Sequence, residues 1–186
     1  KDSSSSWASQ SVRSRFAAWI SRKAGAIAAN CSGGNSGANL NGTAINIPGG
    51  LPAVVNTGAT GIQPDPRYQP GVSFDIPAFY SNYGAAITLA APGGDCGQIG
   101  ACNADRPANW FEYLVLSSVV FEDPACAATA SCPVGWGWKA GTSMASPHVA
   151  GVVALMKAVH PGLTPAQLDS ALSSGDITED LGLTGR

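Results

Sequence analysis

Apolar residues along this chain follow two rhythms. From residues 9 to 24, Val12, Phe16, Ala17 and Ile20 recur at i, i+4, i+5 and i+8, while Arg13, Arg15, Arg22 and Lys23 mostly take the other side. That spacing predicts an amphipathic helix, with Gly25 as its stop. Residues 26–29 then read as a short buried strand of small side chains, entering a Gly-rich loop over 30–37. A second strand is expected at 53–57 and a third at 85–90, the latter stopped by Pro92-Gly93-Gly94. A fourth is expected at 113–121, where β-branched and aromatic residues gather. Pro64, Pro66 and Pro70 make 61–71 a surface loop.

The C-terminal third switches to helical spacing. Residues 142–160 are small or apolar on nearly every side, which predicts a helix inside a core. Pro147 falls in its second turn, and Pro161-Gly162 ends it. Thr164 then reads as an N-cap with Pro165 at the first helical position, opening a last helix that runs to Gly175. Helices alternating with short buried strands make an α/β architecture. Neither a repeat nor a linker divides the chain.

Composition narrows the partners. The chain has 186 residues, 45% of them hydrophobic, so one domain with a sizeable core is expected. Only 12% are charged and the net charge is −2, so there is no basic field to attract nucleic acid or an anionic membrane. The most apolar run, 149–156, falls well short of the roughly 20 residues that cross a bilayer. The start, Lys1-Asp2-Ser3-Ser4-Ser5-Ser6, has no initiator Met and no apolar centre of a signal peptide, which reads as a processed or excised chain.

Cys96 and Cys102 share their spacing with Cys126 and Cys132, in segments of Gly, Ala, Asp and Pro. Disulfides and free thiols both fit, with export favoured by the first; zinc would want closer spacing and nearby His. Local pairing, Cys96 with Cys102 and Cys126 with Cys132, and crossed pairing both remain open. Cys31 is the odd thiol.

The chemistry sits in Gly141-Thr142-Ser143-Met144-Ala145-Ser146-Pro147-His148-Val149-Ala150-Gly151. A serine at the mouth of a buried helix meets unpaired N–H groups and the positive end of the dipole, which stabilise an alkoxide or an oxyanion. Serine is also an ordinary N-cap. The eleven-residue string closely resembles the nucleophile motif of the subtilisin-like serine proteases, the subtilases. Gly34-Asn35-Ser36-Gly37 resembles their oxyanion segment. Val54 to Thr60, Ser81-Asn82-Tyr83-Gly84, Ala90-Ala91-Pro92-Gly93 and the helix start at Thr164 resemble further landmarks, so the likeness spans roughly residues 8–185.

The resemblance implies a three-layer α/β fold, a mainly parallel sheet with helices on both faces. It implies Ser143 as nucleophile, Asn35 as oxyanion donor, and substrate contacts from Gly33, Gly34 and Thr142. It implies a peptide or protein substrate and a secreted or otherwise extracytoplasmic setting. The catalytic Asp and His segments of the family are absent from residues 1–186. At about 100° per residue, His148 is rotated some 140° from Ser143 on the same helix, and His160 lies about 25 Å along it. The expectation is that the chain is the C-terminal part of a catalytic domain, with Asp and His on an upstream segment or a companion chain. The alternative is a non-catalytic subtilase-like module that binds peptides or partners. The separation of Asn35 and Ser143 exceeds that of compact bacterial members, which predicts a Cys-containing insertion at about 95–136; Trp136 and Trp138 at its end could line the leaving-group side. The resemblance makes no cofactor certain. Calcium is permitted, since some subtilases bind it with carbonyls near the Val54 strand and a nearby carboxylate, but Thr88 stands about where that carboxylate would be.

Overall fold

A computed structural model describes residues 29–42, 46–51, 54–61, 76–95, 110–120 and 134–178. The helix expected at 9–24, the start of the first strand, the proline-rich loop and the four paired-spacing cysteines lie outside those residues.

The first sheet is built around β2 (Val54–Gly61), which is buried along its whole length. β1 (Ala29–Ser32) pairs with it in parallel, Ala29 opposite Val54 and Ser32 opposite Thr57. β4 (Leu89–Pro92) also runs parallel to it, Thr57 opposite Leu89 and Thr60 opposite Pro92. β3 (Ile76–Pro77) is antiparallel to its last two residues. A separate antiparallel hairpin joins β5 (Val115–Val120) to β6 (Val134–Lys139), preceded by a 3-10 turn at Trp110–Tyr113. The described sheet is therefore mixed, not mainly parallel. A strand paired in parallel must be covered on both faces, as β2 is, whereas an antiparallel hairpin tolerates a solvated face, and Trp136 on β6 is 73% exposed.

The strands start and stop later than the hydrophobic pattern predicts. β1 runs through Asn30, Cys31 and Ser32, read from sequence as loop. β2 continues four residues past Thr57, and β4 begins after the Ala85–Ala86 turn. β6 falls where a cysteine loop was expected. Its alternation, Val134, Trp136, Trp138, is a strand signal disguised by glycines. Gly137 is required because a Cβ there would approach the Val119 side chain to 2.9 Å.

α1 (Thr142–Val159) lies across β1, β2 and β4. Val55, Ala59, Ala78, Ala91, Ala145 and Val149 form the core, with Tyr80, Leu89, Val153 and Leu172 packed against it. These small side chains allow helix and sheet to approach closely. The expectation of an all-round buried helix does not hold: Val152, Leu155 and Val159 are 57%, 69% and 88% exposed. α2 (Pro165–Ser174) begins as its sequence predicts. Thr164 and Gln167 form a reciprocal capping box, Pro165 opens the helix, and Gly175 closes it at φ 77°. No helix among the described residues is long and apolar enough to cross a membrane.

Candidate active site

β1 is tied to α1 by Asn30. Its Oδ1 accepts from the Thr57 hydroxyl at 2.7 Å, and its Nδ2 donates to the Ser146 carbonyl at 2.6 Å. The loop after β1 thus emerges at the N-terminal end of α1. Asn82, buried, shapes that loop. Its Oδ1 accepts from the Ser36 and Ala38 N–H groups, and its Nδ2 donates to the Gly33 carbonyl. Asn46 adds a second donor to Gly33 at 2.8 Å. Gly34 adopts φ 97°, a left-handed conformation that favours glycine, with its Cα against the Asn82 amide.

Asn35 is delivered by this loop to the start of α1. Its Oδ1 accepts from the Thr142 N–H at 2.9 Å and from the Thr142 hydroxyl at 2.8 Å. The Gly34 N–H donates to the same hydroxyl at 3.1 Å. Thr142 is buried, while Asn35 and Ser143 are exposed. Asn30, in contrast, spends its amide on Thr57 and Ser146, one turn further along α1. Gly33 is buried and donates to the Thr57 carbonyl at 2.7 Å, serving the sheet.

The first turn of an α-helix leaves four N–H groups without helical partners. Here Gly141 N–H donates to the Gly93 carbonyl at 3.0 Å, Thr142 N–H to Asn35, and Met144 N–H back to the Gly141 carbonyl at 2.8 Å. Among the described residues, the Ser143 N–H and the Asn35 Nδ2 have no acceptor. Both unspent donors lie beside the space a Cβ on Gly141 would take, Asn35 Nδ2 at 3.2 Å and the Ser143 nitrogen at 3.7 Å, at the positive end of an 18-residue helix. Such an arrangement stabilises negative charge on an incoming oxygen.

A proton acceptor for Ser143 is missing from the described residues. His148 is exposed, and its Nδ1 bonds the Met144 carbonyl at 2.8 Å on its own helix. His160 follows the far end of α1.

The support beneath Gly141 was not legible in the motif. The Gly93 N–H donates to the Thr60 carbonyl at 2.9 Å, and the Gly93 carbonyl receives both Gly141 N–H and the Tyr80 hydroxyl, each at 3.0 Å. Tyr80 also donates to the Gly94 carbonyl. A Cβ on Gly93 would lie 2.9 Å from the Gly141 carbonyl oxygen. Burial, with the nearby Asp95, raises the Tyr80 phenol far above its ordinary range, against an opposing backbone hydrogen bond from Gly141.

The Thr88 hydroxyl accepts from the Asn56 N–H at 3.0 Å, and the Leu51 carbonyl accepts from the Val54 N–H at 3.2 Å. The buried Asn56 amide fills the space against Gly49 and donates to the Ala86 carbonyl at 2.7 Å. Its Oδ1 has no hydrogen-bond partner. Calcium wants six to eight oxygens with carboxylates among them, and the described residues form no cluster of metal-binding side chains. Cys31 is a free thiol, half-buried, and desolvation raises its pKa.

A family model described as the subtilase family, peptidase S8, matches residues 1–175. An extracellular protease of Xanthomonas campestris pv. campestris is 34% identical over 136 residues, 70% of this chain and 17% of that protein. A subtilisin-like protease of Arabidopsis thaliana is 43% identical over 47 residues, 25% of this chain and 6% of that protein. Among solved structures, proteases from Pseudoalteromonas arctica superpose with a TM-score of 0.59 at 32% identity, over 89% of this chain and 40% of theirs. A lanthipeptide protease superposes with a TM-score of 0.62 at 24% identity, over 94% of this chain and 51% of its own, a likeness of fold. The chain thus spans a small fraction of these curated relatives and about half or less of the solved chains.

Proposed function

Because this chain belongs to the subtilase family, we propose that it is the serine-bearing part of an endopeptidase that cleaves peptide bonds through an acyl-enzyme. Ser143 Oγ attacks the scissile carbonyl carbon. Its proton passes to a His, oriented by an Asp, both on an upstream segment or companion chain. The tetrahedral oxyanion is held by the Ser143 N–H and Asn35 Nδ2. The C–N bond then breaks as the His returns the proton to the amine, and water releases the acyl group by the same route. Gly33, Gly34 and Thr142 shape the substrate cleft, and Trp136 and Trp138 flank its leaving-group side.

The observation that carries this reading is the pair of unspent donors beside Ser143, with Asn35 fixed from behind by Thr142. The exposed apolar face of α1 at Val152, Leu155 and Val159 supports a covering segment. The Xanthomonas relative's description as extracellular supports export. Local pairing of the four cysteines, Cys96–Cys102 and Cys126–Cys132, belongs to the same proposal.

The test is hydrolysis of a peptide ester by the complete enzyme, by its Ser143→Ala variant and by residues 1–186 alone. The complete enzyme turns over; the variant and the lone chain do not. Undiminished turnover in Ser143→Ala refutes the mechanism. An inactive complete enzyme that still binds peptides would favour the non-catalytic module, a reading to which the absence of any reachable histidine among the described residues lends weight.

A further inference from the structure

We propose that Tyr80 is a positioning residue for this reaction, its hydroxyl setting the start of α1, and with it the Ser143 N–H and hydroxyl, through the Gly93 and Gly94 carbonyls. The inference rests on the proteolytic reading of Ser143 and adds a residue to it. Tyr80 lies in the turn after β3, far from Ser143 in sequence, with its ring against the core. One phenol proton is shared between two successive carbonyls at the end of β4. The first of these is the acceptor on which Gly141 N–H rests, at 3.0 Å.

Gly141 is the N-cap, at φ 151°, and contributes no side-chain cap. The helix start is therefore located by contacts from neighbouring segments. From one side Asn35 fixes Thr142; from the other Gly93 fixes Gly141. Ser143 follows these two residues directly, so any movement of the Gly93 carbonyl tilts the Ser143 N–H relative to Asn35 Nδ2. Phenylalanine at 80 would keep the ring packing and remove only the hydroxyl. Gly93 would retain Gly141 as a donor but lose its second anchor. The buried Gly94 carbonyl would lose its partner, which favours rearrangement of this corner. Because the ring stays in place, substrate binding should change little, while the transition state, which needs donor placement to a few tenths of an ångström, should suffer.

The experiment compares the complete enzyme with its Tyr80→Phe variant by steady-state kinetics and by residue-resolved amide hydrogen exchange. Tyr80→Phe should lower kcat about 10-fold at unchanged KM. Gly141 N–H should exchange at least about 10-fold faster, while Val153 N–H in the middle of α1 keeps its protection and so reports an intact helix. Unchanged Gly141 exchange, or faster exchange with parental kcat, would overturn the proposal. If the parent itself shows no turnover, the proteolytic reading fails, while the exchange at Gly141 still decides whether Tyr80 holds the helix start.

Discussion

Asn35 uses the two ends of one amide for different purposes. Its oxygen is committed to Thr142, which fixes the side chain, and under the proposed mechanism its nitrogen is left for substrate. A donor of this kind acts mainly in the transition state, so Asn35→Ala should lower kcat by about 100- to 1,000-fold with KM nearly unchanged. A rise in KM at constant kcat would instead make Asn35 a ground-state binding residue. Tyr80 gives a second expectation, in alkali. The folded state holds its phenol neutral well above the ordinary value of 10.0, while the unfolded chain ionises there. Stability is therefore full below about pH 10 and falls as pH rises beyond it. Denaturant midpoints measured from pH 8 to 11.5 should decline more steeply in the parent than in Tyr80→Phe; equal slopes would contradict this. Ser143 and Asn35 were legible because each sits in a short local string. Asn30, Asn82 and Tyr80 were not, since their value lies in partners 13 to 116 positions away.

At the scale of elements, the helices were read best. Capping residues and 3.6-residue spacing are local signals, and α2 starts and ends where Thr164, Pro165 and Gly175 place it. Strands were placed too early along the chain or missed because their residues are small and polar. In β2, Asn56, Thr57, Gly58 and Thr60 are buried by pairing with β1 and β4, which the chain's own pattern does not announce. Leu168 is the large side chain that α2 buries completely. Truncating a fully buried side chain leaves a cavity, so Leu168→Ala should cost about 2–5 kcal/mol in urea denaturation of the complete enzyme. A loss under about 1 kcal/mol would show that α2 is dispensable to the core.

For the whole molecule, the described residues combine a long helix, a small-residue sheet and a loop that brings Asn35 to the helix start at Thr142. The sequence predicted an all-round buried α1, and the exposed row of Val152, Leu155 and Val159 is where that expectation and the structure part. Under the proposed function, an upstream segment or companion chain supplying Asp and His would cover this face. The most direct test of the account is covalent labelling with a fluorophosphonate, mapped by mass spectrometry, in the complete enzyme, in its Asn35→Ala variant and in residues 1–186 alone. The account predicts a single adduct on Ser143 in the complete enzyme, formed much more slowly in the variant and not at all in the lone chain. An adduct on another residue, or labelling of Ser143 at the same rate in all three, would contradict it.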